Sequence, residues 1–310
     1  MKEQTIKLDS VDPEAIAQWL ENHPDFKVLR RLKPSGNYEG QINHPIKVIV
    51  VDTETTGLNI EQAELIEVGL VAVEVDATTG AVGRILGSYG ELEDPGVPIP
   101  TESTAIHGIT DEMVAGKQFD EDVIKTLCEG AQLVVAHNAG FDKPFMVRRF
   151  PWIEDFVWVC SFRELPLKQE GYASAKLENL LQECGYFHEA HRAVEDCNAL
   201  LCFLAQPLKE SQRWPFEVLF EGANEPLYEI AAIGAPFEKK DALKSKGFRW
   251  NPDERAWEYV AVGFAEGKEV IEWMRDQVYS TTDKIRLGFR IRSGKDRYSN
   301  SLVRQQFKEV

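Results

Sequence analysis

Residues 46–51 (IKVIVV) form an apolar run that passes directly into Asp52-Thr53-Glu54. A run this short and this rich in β-branched residues reads as a buried strand. Two carboxylates at its end cannot follow it into the core, because an unpaired buried charge is costly. The strand must deliver them to the edge of a sheet, facing a cleft or solvent. Asp52 and Glu54 are two apart in an extended chain, so both project from one face. Side by side they repel, each raising the cost of ionising the other. Divalent cations relieve that repulsion, and hard oxygen donors favour Mg²⁺ or Mn²⁺.

Runs at 65–75, 84–92, 133–136 and 156–160 read as further strands, with turn residues at 76–80. Helical periodicity covers 119–129, 141–149, 176–184 and 193–205. Strands first, then strand alternating with helix, predict an α/β fold with a mixed sheet flanked by helices. Ahead of it, 11–22 read as a helix capped by Asp12 with Pro13 at its first position, and 26–32 as a short strand. The expected organisation is an N-terminal helix and strand extension (1–45), a main domain (46–206), a linker (207–226), a smaller α+β domain (227–280) and a basic tail (281–310).

At 310 residues the chain suits about two domains. No apolar run approaches the roughly 18 residues of a membrane span, and the first residues lack the apolar core of a secretory leader. Five scattered cysteines fit a reducing, cytoplasmic setting better than a disulfide scaffold. The net charge of −16 resides in residues 46–205, and the tail is basic. Nucleic-acid binders usually show the opposite sign, whereas excess carboxylates suit a site for divalent cations. Most of these acids are ordinary solvated surface.

Three other segments carry chemistry. His137-Asn138-Ala139-Gly140-Phe141-Asp142 ends one apolar strand and opens a helix, with Asp142 in the first turn. His191 lies five residues before Asp196, which on one continuous helix places the two about 140° apart. His191 therefore precedes the helix, on a loop that folds back over Asp196. Ile106-His107-Gly108-Ile109-Thr110 reads as a turn before a helix capped by Thr110. Together the segments resemble the DEDDh family of 3′–5′ exonucleases, which includes the epsilon proofreading subunit of bacterial DNA polymerase III, ribonuclease T and oligoribonuclease. The first motif, Asp-x-Glu-Thr-x-Gly, is matched by Asp52, Glu54, Thr55 and Gly57. The second is matched by His137, Asn138, Phe141 and Asp142, and the third by His191 and Asp196. The resemblance covers about 46–205.

That resemblance implies a ribonuclease H-like fold and phosphodiester hydrolysis with two Mg²⁺ or Mn²⁺ ions. Asp52, Glu54 and Asp196 would hold the first ion, and Asp52 with Asp142 the second. His191 would be the general base. Thr55, Gly57 and Leu58 would seat the terminal nucleotide, with His107, Asn138 and Phe141 as further substrate contacts. The expected substrate is a single-stranded or frayed DNA 3′ end. An RNase T-like trimming of RNA is the alternative, because discrimination depends on the 2′-OH. A nucleic-acid-binding or polymerase-associated module is the reading from another class. With no polymerase or helicase signature in the chain, any polymerase or repair partner would be a separate protein.

A competing zinc set, Cys184, His188, His191 and Cys197, has spacings looser than zinc sites usually show. In the smaller unit, a basic helix ended by Gly247 precedes a hairpin centred on 251–254. It resembles Lys-x-x-Gly-x-x-Trp…Trp modules, HARP-like domains among them, that accompany nucleic-acid enzymes. Its tryptophans read first as core, and Lys244, Lys246, Arg249 and Arg255 as backbone contacts. The tail basics Arg286, Arg290, Arg292, Lys295, Arg297 and Arg304 read either as a tether for the strand or as a mobile end.

Overall fold

The computed structural model describes residues 12–34, 36–189, 191–252, 254–279 and 287–299. Helix α1 (Pro13–Glu21) starts on Asp12, whose carboxylate accepts from the Glu14 amide, with Pro13 in the first turn. It buries no residue; Arg30 holds it by pairing with Glu14 at 2.7 Å and with Glu21. The strand expected at 26–32 shrinks to β1 (Arg30–Arg31), where Arg30 pairs with Tyr186 and Arg31 with Phe187 and the ladder closes on the Leu32 amide, which donates to the Phe187 carbonyl at 2.7 Å.

The main domain runs β2 (Pro45–Thr55), β3 (Leu65–Asp76), β4 (Val82–Leu92), α2 (Thr101–His107), α3 (Asp111–Val114), α4 (Glu121–Cys128), β5 (Ala131–Ala136), α5 (Ala139–Arg149), β6 (Trp158–Cys160), α6 (Ser161–Glu164), α7 (Leu177–Glu183), β7 (Tyr186–Phe187), α8 (Ala193–Leu204) and α9 (Pro215–Asn224). Five strands form one mixed sheet in the order β4-β3-β2-β5-β6. β2 is antiparallel to β3 and parallel to β5. Alternation along β2 serves both faces. Ile49 and Val51 pack with Ile124, Phe145 and Met146 from α4 and α5. Val48 and Val50 pack with Leu180, Leu200, Leu204, Phe216 and Leu219 from α7, α8 and α9.

The stretch expected as a linker is therefore corrected. Between 207 and 226 lies α9, which starts on Pro215 and buries Phe216 and Leu219 against the sheet. The turn expected at His107 is also corrected. His107 ends α2, left-handed Gly108 (φ 71°) terminates that helix, and Thr110 precedes α3 without a side-chain cap bond.

The smaller domain continues with β8 (Leu227–Ala232), α10 (Lys240–Lys246), β9 (Arg249–Asn251), β10 (Ala256–Val262), α11 (Gly263–Gln277) and β11 (Leu287–Arg292). Its antiparallel sheet has the order β11-β8-β10-β9, with α10 and α11 supplying Leu243, Val270 and Met274 to the core. Phe248, Trp257, Tyr259 and Trp273 belong to that core, whereas Trp250 is half exposed and crosses edge-on to Trp257. The hairpin joins β9 to β10; its tip residue Asp253 lies outside the described residues.

The tail, too, departs from expectation. β11 completes the smaller sheet by pairing with β8. Arg290 and Arg292 both bridge Glu229 at 2.9 Å, and Lys295 reaches Asp155 at 2.8 Å. Arg297 is fully buried between the domains, bonded to Glu164 and to the carbonyls of Trp158 and Glu225. Buried Lys143 of α5 donates to the carbonyls of Lys295 and Arg297. These cations are paired within the protein, and for buried Arg292 and Arg297 that pairing is required, since a buried guanidinium needs its partners. Arg286 and Arg304 lie outside the described residues. No helix among the described residues is long and apolar enough to cross a membrane.

Candidate active site

β2 does not stop at Val51. Its pairing with β3 continues through Asp52 opposite Gly69 and Glu54 opposite Glu67, and the register breaks only between Glu54 and Thr55. The two acids thus sit in regular strand geometry on one face. Thr53 points the other way and donates to Asp142 Oδ1 at 2.8 Å. Asp142 is buried in the first turn of α5, whose N-terminus follows the end of β5 beside β2.

The third acid comes from α8. Its backbone closes on the sheet because Gly69 has no side chain; a Cβ there would lie 2.2 Å from the Ala193 carbonyl carbon. Glu67 is buried and accepts from the Ala193 amide at 3.2 Å while Arg192 pairs with it at 2.9 Å. An acid at a helix N-terminus is favoured by its free amides and dipole. Asp196 then projects toward β2. Its Oδ2 accepts from the amides of His191 (2.8 Å) and Arg192 (3.1 Å), and its Oδ1 meets His188 Nε2 at 2.7 Å. His191 precedes α8 with φ 67°, a left-handed conformation uncommon for a side-chain-bearing residue, held by that fold-back. Its ring is half exposed, with Nδ1 3.9 Å from Glu54 Oε1.

Asp52, Glu54 and Asp196 each present an oxygen within 4.8 Å of the others. Among the described residues this is the one cluster with metal-ligand spacing. The donors are carboxylate oxygens only, a set that can hold a divalent cation. The zinc set is not gathered. Cys197 turns its thiol to the carbonyl of Gly69 at 3.3 Å, Cys184 bonds Leu180, and His188 is held by Asp196.

Crowding shows in the titration of the acids. Burial, then Asp142, Asp196 and Glu54, push Asp52 well above the carboxylate range. Burial, then Asp196 and Glu67, push Glu54 to about 8. Burial raises Asp142 to about 7 against the Thr53 hydroxyl, which favours its ionised form. These acids hold protons in the folded protein that the unfolded chain releases near pH 4. Metal-free stability contributed by them is therefore lost as pH rises toward about 8, by about 1.4 kcal/mol per pH unit and group at most. Melting in EDTA should show wild type losing stability relative to Glu54→Gln between pH 6 and 8. A constant difference would refute the crowding. Saturating Mg²⁺ should stabilise more at pH 8 than at pH 6.

The remaining expected residues are placed less closely. Thr55 is buried, and its hydroxyl donates to the Gly57 carbonyl at 2.6 Å. Gly57 does not adopt a left-handed conformation, and a Cβ would make only an ordinary 3.5 Å contact with Ala63. Leu58 is 86% exposed. His107 is buried against the Thr55 backbone, its Nδ1 accepting from Ile109, and burial lowers its pKa. Asn138 is exposed at the start of α5, and Phe141 is half-buried on Phe145. His137 is spent on structure, between Ser161 Oγ (2.9 Å) and the Ala175 carbonyl (2.8 Å); burial lowers it to about 4.

Glu67 and His188 lie outside the three motifs. The sequence signal for Glu67 is an acid inside an apolar strand. For His188 there is none, since its contact to Asp196 depends on the turn of the loop.

Residues 49–203 match the family model described as Exonuclease. The chain is 32% identical over 185 residues to Exodeoxyribonuclease 10 of Escherichia coli, covering 57% of this chain and 75% of that protein. It is 29% identical over 180 residues to the PolC-type DNA polymerase III of Thermotoga petrophila, covering 54% of this chain and 12% of that protein. The chain thus spans about an eighth of that polymerase. A solved structure of Exonuclease X in complex with 5′ overhanging duplex DNA matches 55% of this chain and 99% of that one, at 26% identity and a TM-score of 0.39.

Proposed function

The chain belongs to the exonuclease family, and on that premise we propose that it removes nucleotides from single-stranded or frayed DNA 3′ ends, with Asp52, Glu54, Asp142, His191 and Asp196 as its active centre. The observation that carries this reading is the convergence of Asp52, Glu54 and Asp196 within 4.8 Å, with buried Asp142 bonded to the neighbouring Thr53. Two Mg²⁺ or Mn²⁺ ions held by the four carboxylates would screen the phosphate and promote ionisation of the attacking water. His191, exposed beside Glu54, accepts the water's proton. The His188 ring and the amides of residues 191 and 192 fix the direction of Asp196. The His191 and Arg192 amides also tie the base to the acid it serves.

Leu58 and the Gly57 backbone seat the terminal nucleotide. An 86% exposed leucine next to a polar site is apolar surface without a protein partner. Leu58→Ala should raise KM about tenfold with kcat changed less, by loss of apolar contact. Gly57→Ala has room in the protein, so its melting temperature should stay within about 2 °C of wild type. Any loss of kcat/KM then reports the approach of substrate. A Leu58→Ala enzyme with wild-type KM would remove the leucine from the substrate site.

The direct test uses 5′-labelled DNA and RNA oligomers of one sequence with Mg²⁺, Mn²⁺ or EDTA. A ladder shortening from the 3′ end that requires metal is expected, faster on DNA. Faster shortening of RNA would make this a 3′ exoribonuclease. No shortening of either would leave a nucleic-acid-binding module.

A further inference from the structure

The carboxyl ends of β2, β5 and β6 lie side by side. Val51 pairs with Ala136, and Ala136 with Cys160. Asp52, His137 and Ser161 therefore follow one another across the sheet edge, about 4.8 Å per strand. Ser161 opens α6, and this short helix ties the main domain to the smaller one. Ser161 holds His137, and Phe162 packs 5.3 Å from the His137 ring. Arg249, at the start of β9, lays its guanidinium 3.5 Å from the Phe162 ring centre. Arg163 is close enough to Arg249 for the two cations to repel. Glu164 closes the helix onto buried Arg297 and Tyr298.

The two arginines differ from others in the chain. Arg149, Arg192, Arg213 and Arg297 each pair with a carboxylate. No carboxylate pairs with Arg163 or Arg249 among the described residues, in a chain of net charge −16. Like charges placed together and left unneutralised cost free energy unless an anion joins them. The ring fixes the plane of Arg249 and leaves its edge donors free, the geometry that suits a phosphate. Ser161 lies about two strand spacings, roughly 10 Å, from Asp52 along the sheet edge, and Phe162 and Arg163 follow it directly.

We propose that Arg163 and Arg249 form a phosphate-binding seam in which the smaller domain grips the backbone of the strand whose 3′ end lies at Asp52. The polarity rests on the exonuclease reading: a strand entering by its 3′ end leaves its remaining phosphates on the 5′ side of the scissile bond. The smaller domain thereby lengthens the substrate site and adds the positive charge that the main domain lacks.

Anisotropy of a 5′-fluorescein-labelled thymidine dodecamer in EDTA measures binding without turnover. The variants are Arg249→Gln, Arg249→Lys and the Arg163→Gln/Arg249→Gln pair, each checked by melting temperature. The pair should raise Kd about tenfold and reduce the slope of log Kd against log salt by roughly 0.7 for each phosphate that is no longer neutralised. Arg249→Lys should keep the slope, which a merely structural role for the arginine does not predict. Unchanged Kd and slope in the double variant would overturn the seam. The same dodecamer with Mg²⁺ tests the other reading separately. Arginine-dependent binding with no shortening by wild type would overturn the exonuclease and leave the seam standing.

Discussion

Asp52→Asn is expected to lower kcat/KM at least about a thousandfold, roughly 4 kcal/mol of barrier, while raising the melting temperature of the metal-free protein. The two effects have one cause. Asp52 stands among Glu54, Asp142, Asp196 and Glu67, and every one of these acids raises the cost of its charge. Asparagine keeps the shape and removes the repulsion, so the folded state gains near neutral pH. It also removes an acid expected to serve both cations, so charge relief on the reacting phosphate is lost. A gain of about 1 kcal/mol would appear as roughly 2–4 °C in EDTA. With saturating Mg²⁺ the order should reverse, because wild type alone gains the full binding energy. Near-wild-type activity of Asp52→Asn would remove it from the active centre, and a lower melting temperature in EDTA would refute the crowding.

The parts of this architecture legible in the sequence are those written locally. The β-branched run at 46–51 dictates a buried strand, and its abrupt end in two acids dictates a sheet edge. The mixed sheet follows from the order of the runs, and the position of His191 ahead of its helix from the angle between His191 and Asp196. What stays hidden depends on partners far away in the chain. α9 is hidden because its apolar residues, Phe216 and Leu219, make sense only against a sheet assembled from distant segments, Val48 and Val159 among them. The tail arginines look like a free basic end until Glu229 and Glu164 are brought to them. In composition, buried Arg297 and exposed Arg249 are alike; only folding separates the structural cation from the available one.

Gly69→Ala carries the second large effect, through packing rather than charge. Gly69 sits opposite Asp52 in the sheet, and α8 begins directly above it. A Cβ at this position would fall 2.2 Å from the Ala193 carbonyl carbon, 2.4 Å from its oxygen and 2.4 Å from the Val194 nitrogen. These are backbone atoms, so no rotamer change relieves the clash, and the helix must move. Overpacking of this kind typically costs about 1–3 kcal/mol. The displaced residues include the Ala193 amide on Glu67 and, one turn on, Asp196. A shift of the order of 1 Å in a catalytic group costs about a hundredfold in rate, so Gly69→Ala should lose at least that much activity even where it remains folded. The stabilisation that Mg²⁺ gives wild type should shrink in the variant, because Asp196 no longer meets Asp52 and Glu54. A folded Gly69→Ala protein with full activity and the full Mg²⁺ shift would show that the approach of α8 does not position the acid. The absence of one methyl group in β3 is thus a condition for the carboxylate cluster, although Gly69 lies in none of the motifs that carry the acids.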